Sequence, residues 1–448
     1  MSRRFAFLFR TTLILFLFSV GGFCQELSQQ TESPLGFGAN SGVVTGEDFV
    51  LTYQVDPVLG VLSLSLKDGN FDHQLFEEYR IGRDFFGVNH EVADDKVYLL
   101  LSNRSSYKMI SVVDTKTQDI KFYPISINLG KVDRFKIIGN TLLVVESLEK
   151  GDFVQLYDYR TGILISLSEL YYPKTRVWDV QVEGDVFDML LHKKGDFNNQ
   201  SLKMIGFSTL GTKVYEMEIR PPGPKKLIFK SAKLISTSGL GYSIVGTYAK
   251  KQGEQFSGYY HVAVNDFLEQ SAKIHPMQSL EGFFDYKKNP GRRKNAKNLR
   301  REMVIYHSKT NGDYIVLASS SDRVVRKFVH FVLLDYKGER VYDTSVKVFY
   351  GLGGALANYS TLGLVERDLY FVFEGSPKIN VLPGFKLYQI EEGNLTGLLK
   401  IDDFLKTQRN LSGWEEVRVY HWKENKFVVL GIENINGIQR YVVKKIEV

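Results

Sequence analysis

A short apolar strand behind a polar turn recurs eight times along this 448-residue chain, and that recurrence restricts the fold more than any single motif does. The turns centre on Asp48, Asp95, Asn140, Asp185, Gly241, Asp313, Asp368 and Asn425, at intervals of 45 to 57 residues with one interval of 72. Behind them stand VLTYQV, VYLLLS, LLVVES, VFDMLL, YSIVGT, YIVLAS, LYFVFE and FVVLGI. Each run is too short for a helix and rich in β-branched or aromatic residues. Several are apolar without alternation, as a strand buried on both faces must be.

The clearest unit runs from Val132 to Leu167 and contains four apolar runs separated by three turn signals: Gly139-Asn140, Lys150-Gly151-Asp152 and Arg160-Thr161-Gly162. This predicts a four-stranded antiparallel meander. A second turn follows most anchors, at Gly69, Gln118, Gly162, Gly211, Asp266, Gly338 and Gly393, and is expected to join the third strand to the fourth. Such a sheet exposes two apolar faces and gains most by stacking on copies of itself, with each fully buried Val, Leu or Phe worth roughly 1.5 to 3 kcal/mol. The predicted class is therefore all-β, a β-propeller of about eight four-stranded antiparallel blades. Seven blades with an irregular extra sheet, or two β domains divided at Pro221-Pro222-Gly223-Pro224, are the other arrangements this pattern allows.

The apolar content of 44% and the aromatic content of 13%, mostly Phe and Tyr, suit a large sheet core. Sustained helical periodicity is lacking. The last unit supplies three strands before Val448, so the segment 25–44 is a candidate fourth strand that would close the ring, with the propeller domain proper expected over 45–448.

Residues 1–24 carry Arg3, Arg4 and Arg10, an apolar run from Leu13 to Val20 and the small pair Gly21-Gly22, the pattern of a secretory signal peptide. Cleavage is expected between Cys24 and Gln25. Phe23, where a small residue normally precedes a lipidated cysteine, argues against a lipoprotein at Cys24. Arg10 and the strongly apolar run argue against twin-arginine export. After that cut no cysteine remains, which excludes disulfides, zinc–thiolate sites and thiol nucleophiles. A large exported chain without disulfides fits a bacterial periplasm or cell surface better than a eukaryotic secretory route.

The longest interval contains a basic insertion, 285–302, in which Lys287, Lys288, Arg292, Arg293, Lys294, Lys297, Arg300 and Arg301 place eight cations within fifteen residues. Subtracting these and the three leader arginines from the formal +6 leaves −5, so the basicity is local. The cluster is a candidate site for an anionic membrane surface, an acidic polysaccharide or an acidic protein face. It is equally readable as a solvated connection. Nucleic acid is disfavoured because no aromatics interleave with the cations. Phe283, Phe284 and Tyr286, just upstream, are expected to pack beneath it.

Chemistry is hard to locate. The histidines, His73, His90, His192, His261, His275, His307, His330 and His421, show no HExxH or short ligand spacing. His90-Glu91 could face a central channel or sit as a satisfied edge pair. No GxSxG elbow occurs, and Gly36-Phe37-Gly38 and Gly351-Leu352-Gly353-Gly354 do not open helices after strands. The lone Trp178-Asp179 does not repeat as in WD40 proteins. No sialidase-type box is present, and three tryptophans are too few for quinoprotein dehydrogenase blades. No catalytic residue, cofactor or metal is therefore assigned. The expectation is an exported, non-enzymatic scaffold binding an envelope protein or glycan. The alternative is an envelope enzyme acting on glycans or peptides with acidic residues at the channel mouth. A deep polar pocket of convergent carboxylates with shifted pKa values would favour the enzyme, and a broad charged or apolar patch the scaffold.

Overall fold

The computed structural model describes residues 41–447, apart from 104–106, 126–131, 168–173, 195–199, 221–226, 238–240, 251–255, 285–302, 322–325, 350–359, 376–383, 401–413 and 436–437. They form eight antiparallel sheets arranged as an eight-bladed β-propeller. The blades span 41–80, 85–125, 132–166, 175–218, 228–276, 303–349, 360–400 and 414–447, and within each the strands, here A to D, lie in sequence order. Strand A of every blade contacts strand A of the next, and strand A of blade 8 contacts that of blade 1, so the ring closes around its innermost strands. No helix among the described residues is long and apolar enough to cross a membrane.

The runs that marked the repeat are the B strands. In blade 2, Val97, Leu99 and Leu101 pack into the core shared with blade 1, while Tyr98 and Leu100 pack into the core shared with blade 3. In blade 3, Leu142 and Val144 face blade 2, and Leu143 and Val145 face blade 4. Successive side chains of a strand point to opposite faces, so a strand buried on both must be apolar throughout.

The anchor turns are the A–B hairpins. At Asp94-Asp95 both residues take positive φ, 48° and 59°, a left-handed conformation that aspartate tolerates. The second turns are the C–D hairpins, and they share a device that single turn residues did not reveal. A residue at the end of strand C accepts from backbone amides two to four residues on: Asp68 from Asn70 and Asp72, Asp114 from Lys116 and Thr117, Asp158 from Arg160 and Thr161, and Asn265, one residue past its strand, from Phe267 and Glu269. These donors favour the ionised form. The amide of Asp72 holds the Asp68 carboxyl, and that of Thr117 the Asp114 carboxyl, below the usual carboxylate range.

Blade 8 shows three strands among the described residues. Ser41–Thr45, whose first four residues belong to the segment expected to close the ring, is strand A of blade 1, paired in register from Ser41 with Gln54 to Thr45 with Val50. Residues 25–40 lie outside the described residues, as do the Pro221–Pro224 connector and both glycine-rich stretches. Among the described residues, blades 8 and 1 join through side chains. Val43, Val50, Trp422, Val428 and Leu430 form one core, Trp422 Nε1 donates to the Gly46 carbonyl at 2.9 Å, and Thr45 Oγ1 donates to the His421 carbonyl at 3.3 Å.

Candidate functional site

All eight cations of the basic insertion, from Lys287 to Arg301, lie outside the described residues. The turn that leads into the insertion is described. Gly282 donates its amide to Asp343 Oδ2 at 2.8 Å, Glu281 to Oδ1 at 3.2 Å, and Arg340 Nη1 reaches Oδ1 at 3.0 Å. His330 Nε2 lies 3.1 Å from Asp343 Oδ2 and its Nδ1 2.8 Å from Tyr259 OH, which also contacts Ser319 Oγ. A carboxylate can only accept. His330 therefore donates from Nε2 to Asp343, and with a neutral ring Nδ1 accepts from Tyr259, while the Ser319 hydroxyl lies against both the Tyr259 oxygen and the His330 carbonyl. The Ser–Tyr–His–Asp order resembles a proton relay, yet Ser319 and His330 are fully buried and Phe283 covers His330 at a ring separation of 4.7 Å. No substrate can reach it, so the chain's work is to fix the turn. Phe283 packs there between Phe256 and Phe328, while Tyr286 and the Phe284 side chain lie outside what the structure describes.

Several channel-side strands reach a polar side chain to the next blade. Arg134 Nη1 donates to the Val177 carbonyl of the next blade at 2.9 Å, Asp179 Oδ2 accepts the Leu234 amide at 2.9 Å, and His307 Nε2 lies 3.0 Å from the Ser360 carbonyl. β-Bulges in strand A of several blades, between Val177 and Asp179 and between Ile305 and His307 among them, re-aim these side chains. At the first of these, Trp178 is the extra residue and stacks on His192 at 4.0 Å. Glu91 is paired with Lys136 of blade 3 at 2.7 Å, and its proton is held more tightly than usual because burial outweighs that lysine. His90 is pushed down to about 4 by burial, and its buried Nδ1 has no partner.

On blades 6 to 8 the strand A groups become cationic. Lys309 Nζ lies 2.8 Å from His421 Nδ1, and His421 Nε2 lies 2.8 Å from the Glu424 carbonyl. The carbonyl fixes the hydrogen on Nε2, so neutral His421 accepts from Lys309. Burial lowers Lys309 to about 8 and pushes both His307 and His421 down to about 4, with the Lys309 charge the second cause for each histidine. No cluster of three or more metal-ligating groups occurs among the described residues.

A cavity of about 990 Å³ forms an open groove between blades 6 and 7 on the hairpin face, lined by Asp313, Glu366, Arg367, Asp368, Glu391 and Glu392. Arg367 is held there by Tyr314, with Nε 2.8 Å from the phenol oxygen. Burial raises the Asp368 pKa, and the Glu391 and Glu366 charges add to the rise. Farther around the same face, Leu210 and Phe267 stand at C–D hairpin tips, Phe267 at 85% exposure beside Asp266. Hairpin acids thus surround a groove and isolated apolar tips. A second carboxyl, Asp188, is buried between the hydroxyls of Tyr215 and Tyr242 and raised to about 6, mainly by burial. It joins blades 4 and 5 and, being 1% exposed, offers no access. Sequence reasoning declined to choose among the acids because carboxylates occur throughout the chain. Assigning alternate turns of each four-strand unit to one face would have gathered the groove residues.

No family model matches this sequence, and no curated protein matches it. Solved structures with a similar course of the chain are diverse propellers. The polysaccharide lyase Uly1 is 8% identical, over 81% of this chain and 89% of its own, at a TM-score of 0.46. The β-propeller domain of the Trilobed protease from Pyrococcus furiosus is 10% identical over 81% and 95%, at 0.41. Apo AztD from Citrobacter koseri is 12% identical over 81% and 86%, at 0.43. Likeness at this level is likeness of fold.

Proposed function

We propose that this chain is an exported β-propeller that binds its partner without turning it over, a scaffolding module of a bacterial envelope whose hairpin face takes a basic segment of an envelope protein. The observation that carries this reading is the groove between blades 6 and 7. It is broad, open to solvent and rimmed by the exposed carboxylates of Asp313, Glu366 and Glu392, with Arg367 braced within it. Charge arranged in this way favours fast, salt-sensitive encounter with a complementary surface. Export is supported by the leader-like residues 1–24 and by the cysteine-free remainder. N-terminal sequencing of secreted protein, expected to begin at Gln25, tests it.

One observation favours the second reading, an envelope enzyme acting on glycans or peptides. Asp368 retains its proton to higher pH than an ordinary carboxyl and shares the groove with Glu391, the kind of asymmetry a general acid needs.

The test is crosslinking and mass spectrometry on native envelope extract with the chain from Gln25 and with Asp313→Lys/Glu366→Lys/Glu392→Lys. A protein partner captured at low salt and lost in the variant supports the scaffold. No partner in any condition removes it. Turnover of glycans or peptides abolished by Asp368→Asn would establish the enzyme instead.

A further inference from the structure

The face opposite the hairpins carries the opposite charge. Exposed lysines gather where blades 3, 4 and 5 end on it: Lys150 in a B–C turn, Lys174 just before strand A of blade 4, Lys193 and Lys194 at the end of Val186–Lys194, and Lys250 after Gly241–Ala249. Three follow one another through the backbone. The Lys174 amide donates to the Lys150 carbonyl at 2.8 Å, and the Lys194 amide to the Lys174 carbonyl at 3.1 Å. Residues far apart in sequence are thereby held as one row. Arg83, between blades 1 and 2, and Lys347, on the outer strand of blade 6, are exposed at the same face. The exposed acids described there are Glu77, Glu78, Asp84, Glu149, Glu218 and Glu281. The two chain ends flanking the basic insertion, Phe284 and Met303, also lie on the blade 5 to blade 6 connection of this face.

Among the described residues two apolar side chains project farthest from it, beyond the less exposed Tyr107 and Leu148. Val58 and Leu59, at the tip of the B–C turn of blade 1, are 74% and 71% exposed. Their turn is stiff. Asp56 Oδ1 accepts the Val58 and Leu59 amides at 2.9 and 2.8 Å, the Gly60 carbonyl accepts the Ile81 amide at 2.8 Å, and the Pro57 carbonyl accepts the Asp84 amide at 2.8 Å. Gly60 sits at φ +68°, where a Cβ would lie 2.6 Å from the Gly82 carbonyl carbon. A tip that served only to reverse the chain would favour Gly, Asn, Asp or Ser. This one holds Val and Leu out into solvent next to Arg83.

The geometry points to an anionic phospholipid surface as the occupant of this face, with the lysine row, Arg83, Lys250 and Lys347 on headgroup phosphates and Val58-Leu59 entering the acyl boundary. Interfacial attachment takes this combination of apolar insertion and cationic attraction. The cations are spread from blade 1 to blade 6 across one end of a disc and do not converge in a cleft, which suits a plane better than a single extended polymer. Docked this way, the molecule turns its acidic hairpin face away from the membrane. The inference stands on residues outside the groove, so it and the proposed partner binding succeed or fail separately.

Vesicle co-sedimentation tests it, using the chain from Gln25 so that the apolar run Leu13–Val20 cannot bind lipid itself. Binding is expected to equimolar phosphatidylcholine–phosphatidylglycerol vesicles and not to phosphatidylcholine alone, and to weaken as salt shortens the screening length. Lys150→Glu/Lys174→Glu/Lys194→Glu should lower vesicle affinity about tenfold or more. Val58→Ser/Leu59→Ser, at an exposed tip, should also lower it while leaving retention on dextran sulfate unchanged. Circular dichroism and thermal midpoints check that both variants fold. Absence of binding to anionic vesicles at low salt overturns the inference. So does vesicle binding indifferent to Val58 and Leu59, which would make the face a soluble-polyanion site. Loss only on deleting 287–302, with the lysine variant still bound, overturns it as well.

Discussion

Lys309 of blade 6 reaches past the whole inner strand of blade 7 to His421 of blade 8, its Nζ 2.8 Å from the imidazole Nδ1. The strand it passes carries Gly363, where an added Cβ would stand 2.5 Å from His421 Cδ2 and 2.7 Å from Nε2. The glycine leaves room for the ring, and the ring brings its acceptor within reach of the lysine. Three blades are thus joined by one glycine and one hydrogen bond.

Gly363→Ala is expected to displace the His421 ring and break both of its ring hydrogen bonds. The cost should fall in the range of about 1 to 3 kcal/mol, typical of overpacking. Urea unfolding of the variant at pH 7 measures it. A midpoint equal to that of the parent would show that the ring can lie elsewhere.

Lys309 should produce a rise of stability in alkali. Burial lowers its pKa from 10.5 to about 8, so between those values the unfolded chain binds the proton that the folded chain has lost, and stability increases with pH. The full effect is at most about 3 kcal/mol. Lys309→Met should remove that increment, which appears as the difference between the two proteins' unfolding free energies from pH 8 to 10. A difference constant across that range would show that Lys309 does not titrate there.

Acid should act through His90, His261, His307 and His421, each pushed down by burial from 6.5 to about 4. The unfolded chain takes up these protons first as pH falls below 6.5, so their stabilisation is complete above that value and lost on the way to 4. For one such histidine the loss between pH 7 and pH 5 is about 2 kcal/mol. His90→Gln should reduce the acid sensitivity by about that amount in denaturant titrations at the two pH values.

Asp343→Ala removes the acceptor shared by His330, Arg340 and the amides of Glu281 and Gly282. Breaking a buried charge pair of this kind costs about 3 to 5 kcal/mol. The loss should be accompanied by faster proteolysis within 285–302 at temperatures where the remaining blades resist. Uniform cleavage across all connections would mean that the network supports the whole ring and not the turn in particular.

The closure between the ends of the chain can be tested at Trp422, which packs against Val43 and Val50 and donates to Gly46. Trp422→Ala should cost about 3 to 5 kcal/mol. Its emission, now from a 6% exposed indole, would vanish from the spectrum. Retention of the parental thermal midpoint would show that other contacts close the ring.

Much of the architecture could be read from VYLLLS and LLVVES alone. A strand that is apolar at every position must be covered on both faces, and eight such strands, most of them 45 to 57 residues apart, point to stacked four-stranded sheets. The A–B turns were legible at Asp95 and Asn140 because left-handed or side-chain-bonded turns need particular residues. Lys309 and His421 gave no such signal. They are 112 residues apart, and their meeting depends on a bulge between Ile305 and His307 and on the absence of a side chain at Gly363.

The basic insertion was conspicuous because its eight cations fall within fifteen residues, whereas Lys150, Lys174 and Lys194 are scattered and become a row only where neighbouring blades meet on the face opposite the hairpins. Sequence by itself determined the strands and their grouping into four-stranded units, because local hydrophobic pattern and turn chemistry act over a few residues, and it left the closed ring of eight to the tertiary structure. Tertiary structure alone decided which polar side chains share a face, a groove or a buried hydrogen bond, because those relations depend on ring curvature and strand register, which bring distant residues within a few ångströms.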